Sequence, residues 1–399
     1  METLWRDLRV AVRMLRRQPG FSAASILTLA LGIGANSAIF ALVDATLLRP
    51  LPFHDPNRLV MLWERTETLP RDRVAPLNLI DWNKRNKTFE GIAGFGPNVG
   101  SMVMNMPDGT PETVSRQWVT HGFFDVLGVQ PIIGRTFLPG DDSSRSNIVV
   151  LNEAFWRASL NADPRIVGRD IRLDGEAYRV AGIVPQEFQS FGRTSIWALA
   201  PISGAPPAAR SFHGLQTIGR LKPGVSLILA SSDMEAVAVG LAQDFPQTNK
   251  GRGVTIVPLH DALIGSELRL TTMLFLGVVG FVLLICAANV ANLLLARGVA
   301  RSREIAICSA LGAGKTRIIR QLITESFMLS IIGSLLGLAL GAAILGAAPL
   351  LIPQGLLPPA LTLSFDWRVV SFCFATALLI GLICGLVPAW QVTEFSSSQ

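Results

Sequence analysis

Four stretches of the sequence contain no Asp, Glu, Lys or Arg, and they constrain the fold more than any other feature. They are residues 18–43, 271–296, 326–365 and 369–393. An α-helix rises about 1.5 Å per residue, so about 20 apolar residues cross a hydrocarbon core about 30 Å thick. The first, second and fourth stretches each fit one crossing. The third is longer, and its prolines between positions 349 and 359 end a helix and begin a loop. The sequence therefore predicts four transmembrane helices.

The net charge of +6 is concentrated in two short segments beside these stretches. Residues 1–20 carry an excess of +3 and residues 297–325 an excess of +4, whereas residues 44–270 hold 23 basic and 23 acidic side chains. Because basic residues accumulate on the cytoplasmic side of a membrane, the N-terminus and residues 297–325 are predicted to face the cytoplasm. A nucleic-acid-binding protein would carry its basic excess on a folded surface instead, so no nucleic acid is predicted as a partner.

The predicted fold class is a membrane protein with four transmembrane α-helices and a large extracytoplasmic α+β domain inserted between helices 1 and 2. Residues 1–20 form a cytoplasmic amphipathic helix in this scheme, with Leu4, Leu8, Ala11 and Leu15 along its apolar side. The remaining segments are a first span (21–43), an extracytoplasmic domain (44–270), a cytoplasmic elbow (297–325) and three further spans (271–296, 326–348 and 369–389). The first uncharged stretch exceeds the usual apolar core of a signal peptide, which favours a retained span.

The extracytoplasmic domain has the short, alternating segments of an α+β fold. Residues 169–184 predict a hairpin with its turn at Asp174-Gly175. A strand at 215–221, a helix at 226–245 and a strand at 254–257 predict a β-α-β unit. We expect small sheets, and the domain has no cysteine that could form a disulfide.

The chain lacks the residues that enzymes need. It has four His and one Tyr, with no partner at a telling spacing, and no metal-ligand pattern of Cys and His. Residues 311–316 resemble the end of a phosphate-binding loop, but position 309 is Ser309 rather than the glycine which that loop requires. The sequence thus predicts no enzyme activity, no cofactor and no metal.

Polar and small residues within the spans predict helix packing. Asparagine is costly in hydrocarbon unless its amide is hydrogen-bonded, so the asparagines should face other helices. Glycines at every fourth position permit close approach of a second helix. The predicted packing residues are Asn36, Asn289, Asn292, Gly333, Gly337 and Gly341.

Motifs along most of the chain resemble the permease family of MacB and FtsX, in particular its branch of duplicated orphan permeases. In the C-terminal part they are the segments 289–297, 303–307, 310–313 and 320–326. In the N-terminal part and the exported domain they are 29–36, 47–52, 123–129, 134–137, 166–169 and 220–225. The resemblance assigns a MacB-like periplasmic domain to 44–270 and an FtsX-like permease domain to 271–399.

The resemblance implies a permease subunit of an ABC-type transporter in the bacterial inner membrane, related to efflux or export. Two copies, or two fused halves, would pair and act with a separate ABC ATPase subunit that binds the cytoplasmic elbow. ATP-driven motion would pass to the periplasmic domains, where a further partner is possible, without a channel for substrate (mechanotransmission). The ATPase-docking residues implied in this way are Arg303, Glu304, Leu311, Gly312, Lys315 and Arg317.

Two departures from the family pattern stay open, and so does one alternative function. Cys308 stands where the family has a basic residue. The sequence ends at Gln399, so the chain is either a half-length permease or part of a longer one. The alternative function is a membrane-anchored extracytoplasmic binding or sensing module without transport. The transported substrate is not indicated by any residue pattern.

Overall fold

The computed structural model describes residues 18–106, 109–142, 147–188, 194–300, 315–351 and 365–395, together with 13, 15, 16 and 192. The chain divides into two compact units. The first, here called the soluble domain, is Pro50–Gly265, and the second, here called the helical unit, contains the described residues before Pro50 and after Gly265. Most of the predicted amphipathic helix at residues 1–20 lies outside the described residues.

Nine helices lie in the described part of the chain. They are α1 (Pro19–Val43), α2 (Pro76–Arg85), α3 (Phe123–Leu127), α4 (Glu153–Ser159), α5 (Leu227–Asp244), α6 (Pro246–Asn249), α7 (Leu259–Ala300), α8 (Lys315–Leu351) and α9 (Trp367–Phe395). Short 3₁₀ turns occur at Pro56–Arg58, Pro164–Ile166 and Pro207–Ser211. A π-helical turn, Asp44–Leu48, extends the end of α1.

Three helices in the described part of the chain are long and apolar enough to cross a membrane. Their apolar segments are Pro19–Leu48, Leu259–Leu293 and Ile323–Ala347, and Trp367–Ile383 in α9 is a shorter apolar helix. The helix α7 is interrupted at Gly265, which has φ 67° and ψ 163°. Only glycine adopts this backbone conformation readily, and the boundary between the two units falls at the same residue.

The soluble domain is built on eleven strands that belong to one connected sheet. They are β1 (Leu59–Arg65), β2 (Phe89–Phe95), β3 (Gly100–Asn105), β4 (Pro111–Val119), β5 (Ile133–Gly134), β6 (Ile148–Asn152), β7 (Asp170–Leu173), β8 (Glu176–Val184), β9 (Ile196–Leu199), β10 (Gln216–Leu221) and β11 (Gly253–Pro258). Their order is β11-β1-β10-β2-β4-β3-β7-β8-β6-β9, and β5 pairs with β8.

The sheet consists of an open part and a closed ring. The strands β11, β1, β10 and β2 form the open part, which β2 joins to β4 through the single pair Phe95 and Val119. Because β9 pairs with both β6 and β4, the strands β4, β3, β7, β8, β6 and β9 close on themselves. The expectation of small sheets was therefore wrong, because the pair Phe95 and Val119 joins the open part to the ring and all eleven strands belong to one sheet.

Each part of the sheet has its own apolar core. The open part packs against α2 and α5 through side chains that include Leu62, Trp82 and Met234. The closed ring encloses a second cluster that includes Val149 and Leu173. Apolar side chains on one face of each strand are thus removed from water, which is the main contribution to the stability of such a domain.

The local predictions for this domain are confirmed where the structure describes them. Strands β7 and β8 form the hairpin, and Asp174 and Gly175 have φ values of 51° and 85°, as a two-residue type I′ turn requires. The unit β10-α5-β11 is the predicted β-α-β unit. Strand β1 lies between its two strands and is antiparallel to both.

Candidate functional site

The first feature of the helical unit is a contact of glycines between α8 and α1. A Cβ atom added at Gly333 would lie 2.7 Å from the Cβ of Leu29, and one added at Gly337 would lie 3.1 Å from the carbonyl oxygen of Ala30. Gly341 meets the same helix one turn further along. The missing side chains let the two backbones approach each other, which increases dispersion contact in an environment without a hydrophobic driving force.

Asn36 joins α1 to α7. Its side chain is 2% exposed, and its Nδ2 donates to the carbonyl oxygens of Gly32 and Val279, each at 3.0 Å. The bond to Gly32 lies within α1, whereas the bond to Val279 crosses to the other helix. An amide placed in this way is satisfied without water.

The two other asparagines do not face a described helix of this chain. Asn289 and Asn292 are exposed on α7. In its most apolar segment, α7 has 11% of its residues buried, compared with 50% in the segment containing α1 and 33% in that of α8. Among the described residues, one face of α7, including these two amides, is therefore left without a neighbouring helix.

The elbow residues are described only in small part. Arg303, Glu304, Leu311 and Gly312 lie outside the described residues. Lys315 and Arg317 lie in the first turn of α8, where only the backbone is described. Their role in binding an ATPase stays a prediction.

A cluster of four charges connects the C-terminal end of α1 to the N-terminal end of α9. We call Asp44, Arg49, Asp366 and Arg368 the Asp44 cluster. The Asp44 side chain is 1% exposed, with its Oδ2 2.9 Å from Arg49 Nη2 and its Oδ1 3.1 Å from Arg368 Nη1. Arg49 Nη2 also lies 2.5 Å from Asp366 Oδ2. Since a buried carboxylate is costly unless it is paired, the contacts with Arg49 and Arg368 stabilise Asp44 at its buried position.

The local backbone explains how these side chains meet. The π-helical turn that starts at Asp44 ends where the amide of Arg49 donates to the carbonyl oxygen of Asp44, 2.7 Å away. This turn brings the side chain of Arg49 next to the side chain of Asp44. On the other helix, Asp366 Oδ1 accepts from the amide of Arg368 at 3.0 Å and caps the start of α9.

Sequence reasoning did not identify the Asp44 cluster. A signal was present, because each of its residues lies within a few positions of an uncharged stretch. The charges at the end of span 1 and at the start of span 4 fall on the same predicted side of the membrane, where opposite charges can pair.

The soluble domain contains a buried polar group of a different kind, centred on Glu64. This carboxylate is 2% exposed and accepts from the amide of Ala75 (3.0 Å), from Asn78 Nδ2 (2.9 Å) and from Arg252 Nη1 (3.0 Å). The cavity beside it measures about 10 Å³. That volume admits one water molecule at most, so the cavity is too small for a ligand. Among the described residues, no group of three His, Cys, Asp or Glu is placed to hold a metal ion.

Family models match both parts of the chain. The MacB-like periplasmic core domain matches residues 22–237, and the FtsX-like permease C-terminal domain matches residues 276–396. This order of a periplasmic core domain followed by permease helices defines a class of membrane permeases. The first match alone covers more than half of the chain, and the chain therefore belongs to the MacB/FtsX family of ABC transporter permeases.

Curated relatives agree with this assignment. The macrolide export ATP-binding/permease protein MacB of Chromobacterium violaceum is 26% identical over 306 residues, which are 72% of this chain and 45% of that protein. The uncharacterized ABC transporter permease YknZ of Bacillus subtilis is 25% identical over 314 residues, which are 76% of this chain and 74% of that protein. The chain thus matches less than half the length of the MacB relative.

Solved structures are also similar to part of the chain. The crystal structure of the periplasmic region of MacB from Actinobacillus actinomycetemcomitans gives a TM-score of 0.37 at 15% identity, covering 52% of this chain and 91% of that one. The family assignment rests on the family models and the curated relatives.

Proposed function

We propose that this protein is a permease subunit of an ABC-type exporter that couples ATP hydrolysis by a separate ATPase subunit to movement of its periplasmic domain. The observation that carries the proposal is the paired match of a periplasmic core domain and a permease domain, in that order, along this chain. The name of the MacB relative refers to macrolide export. Export or efflux is accordingly the direction proposed here.

The proposed topology has four spans, with the N-terminus in the cytoplasm and the soluble domain in the periplasm of the bacterial inner membrane. Helix α9 is the fourth span, because a helix of 29 residues is about 43 Å long. The excess of basic residues in 1–20 and 297–325 supports this orientation. Cysteines introduced at Gly175 and Lys315 should react with an impermeant maleimide from opposite sides of the membrane. Labelling of both from one side would overturn the topology.

The proposed role of the soluble domain is to move rather than to enclose a substrate. In the described part of the domain, the cavity at Glu64 has room for no more than a water molecule, and side chains fill the two apolar cores. Such a domain responds to force as a packed body. Helix α7 leads from the last strand of the domain, through the interruption at Gly265, into an apolar span, and this segment is the mechanical connection proposed here.

A second permease half, either another copy of this chain or a fused half, is the partner proposed for the open face of α7. The exposed amides of Asn289 and Asn292 would be costly against lipid and would be satisfied against another helix. In a cysteine-free background, Asn289→Cys should form a disulfide-linked dimer in membranes. Leu335→Cys is the matched control, because Leu335 is exposed on α8 with apolar neighbours. Equal cross-linking at both positions would contradict this interface.

Coupling to the ATPase is assigned to the elbow. The double variant Glu304→Ala with Leu311→Asp should abolish co-purification with the ATPase subunit, because it removes a charge and places another in the expected contact. Insertion in the membrane, followed by the maleimide labelling of Gly175→Cys, is the control. Unchanged co-purification would favour the sensing module over the transporter.

A further inference from the structure

The first turn of α5 carries three consecutive apolar side chains that the soluble domain does not bury. Leu227, Ile228 and Leu229 are 38%, 80% and 55% exposed, and we call them the apolar tip. The stripe of α5 that faces the core begins only after them, at Ala230, and continues through residues 234, 237, 238 and 241. Ile228 and Leu229 lie outside this stripe on the helical wheel. Packing of the core therefore does not account for them.

The local structure holds the apolar tip in place. Ser226 is the N-cap of α5, and its Oγ accepts from the amide of Leu229 at 3.3 Å. The turn before it contains Gly224 with φ 77°. The three apolar residues are thus fixed at the start of a regular helix.

The register of the strands places the apolar tip at a particular end of the sheet. Leu59, the first residue of β1, lies opposite Arg220 near the end of β10, and Val60 lies opposite Pro258 at the end of β11. Strand β10 continues through a short turn into α5. The chain therefore enters and leaves the soluble domain at the same end of the sheet that carries the apolar tip.

Two lysines lie beside the apolar tip. Lys222 precedes it by five residues, and its Nζ donates to the carbonyl oxygen of Lys87 at 2.7 Å. Both lysine side chains are exposed, and neither forms an ion pair with a residue that the structure describes. The nearby carboxylate of Asp233 accepts instead from the amides of Lys87 and Thr88. The apolar tip is therefore flanked by two lysines and one carboxylate.

We propose that the apolar tip inserts into the surface of the lipid bilayer, with Lys87 and Lys222 among anionic phospholipid headgroups. Apolar side chains at the acyl boundary flanked by lysines are the pattern of segments that lie in a membrane interface. The lysine stems extend to the headgroup level while the ammonium groups stay in water.

The size of the apolar tip favours lipid over a protein partner. A stable protein interface buries about 800 Å² on each side, which requires about 20–30 residues. Three side chains supply a small part of that area. Three side chains are enough here, because both chain connections of the soluble domain leave at the same end of the sheet and lead to helices proposed to span the membrane. These connections tether the apolar tip near the bilayer, so the local concentration of bilayer is high.

The experiment measures where a spin label at Ile228 resides. The full-length chain is prepared without native cysteines, with Ile228→Cys carrying a nitroxide, in nanodiscs of phosphatidylcholine with phosphatidylglycerol. Collision with oxygen, which is enriched in lipid, is compared with collision with a water-soluble nickel chelate. The matched control is Val239→Cys, because Val239 is 53% exposed on the same helix, away from the lysines.

We expect the ratio of oxygen to nickel collision to be at least five-fold higher at position 228 than at position 239. The ratio at 228 should fall at least two-fold with Lys87→Gln and Lys222→Gln, or when phosphatidylglycerol is left out. Equal ratios at both positions would overturn the proposal. Protection of position 228 from both reagents would also overturn it and would indicate a protein partner or a second copy.

A second measurement covers the case in which the cysteine-free chain is unstable. With the native cysteines retained, Ile228→Cys should react at least five-fold more slowly with a water-soluble maleimide than Val239→Cys, after subtraction of the wild-type rate. Equal rates would count against the proposal. Neither experiment needs an ATPase or a substrate, so its outcome is independent of the proposed transport function.

Discussion

Different kinds of contact stabilise the interior of the soluble domain and the interior of the helical unit. In the soluble domain the largest side chains fill the interior, with Trp82, Trp197 and Phe95 fully buried. In the helical unit, glycines form the close contact of α1 with α8, beside an apolar cluster that includes Leu29. Asn36 joins α1 to α7, and the Asp44 cluster joins α1 to α9. In water, apolar burial stabilises a fold by itself, whereas in lipid the tails already provide an apolar surrounding. The two regions should therefore be sensitive to opposite changes of side-chain size.

The largest effect is expected for removal of a large side chain from the soluble domain. Trp82→Ala should lower the free energy of unfolding of this domain by about 3–5 kcal/mol, because Trp82 is 1% exposed. Urea-dependent proteolysis of the full-length chain would measure it. Phe212→Ala is the control, since Phe212 is 67% exposed and should change stability by less than about 0.5 kcal/mol. A loss under 1 kcal/mol for Trp82→Ala would contradict the account of this core.

In the helical unit the largest effect is expected at the Asp44 cluster. Asp44→Asn should destabilise the helical unit by about 2 kcal/mol, less than for a fully buried pair because the arginines are partly exposed. Thermal melting in detergent would measure the change. The double variant Asp44→Asn with Arg368→Gln should cost less than the sum of the two single variants. Strict additivity would show that the two charges do not interact.

The opposite size dependence is tested by adding a side chain between the helices. Gly333→Leu should destabilise the contact of α8 with α1 by about 1–2 kcal/mol through overpacking, since the added Cβ meets Leu29. Gly277→Leu on α7 is the matched control, because an added Cβ meets nothing within 4 Å there. Similar melting temperatures for the two variants would show that the helical unit is not destabilised by added side-chain volume between α1 and α8.

The smallest effect is expected for a single interhelical hydrogen bond. Asn36→Leu should lower the stability of the helical unit by about 1 kcal/mol. The expected loss is small because polar side chains also find some hydrogen-bond partners when the helices are separated. The same melting assay would measure it, with Asn289→Leu in the monomer as the control, because that side chain is exposed. A loss of several kcal/mol at Asn36 would mean that the membrane helices depend on polar bonds more than on close packing.

Much of the architecture is predictable from local sequence patterns. Uncharged stretches coincide with the three described helices that are long and apolar enough to cross a membrane, and the hairpin of β7 and β8 follows from Asp174-Gly175 between alternating residues. The closed ring is not predictable in this way, because the pairing of β4 with β9 joins Arg116 to Ile196 across about eighty residues without a local signal.

The sequence pattern indicated the three asparagines and the glycines as packing residues, but it did not indicate the Asp44 cluster. Hydrocarbon restricts which residue types are tolerated within a span, so polar or small residues there are conspicuous in a single sequence. At the ends of spans, charges are common, and their positions beside the uncharged stretches do not select Arg368 as the partner of Asp44. Such a pairing depends on the tertiary arrangement of helices that are far apart in the chain.

The register of β1 and β11 has a consequence for how such proteins change over evolution. Val60 and Pro258 are opposite each other, so the two ends of the soluble domain lie side by side on neighbouring strands. A module with adjacent ends can be exchanged, enlarged or lost by recombination without separating the helices that flank it. We expect that a chimaera receiving a foreign domain between Pro50 and Gly265 would still insert its helices.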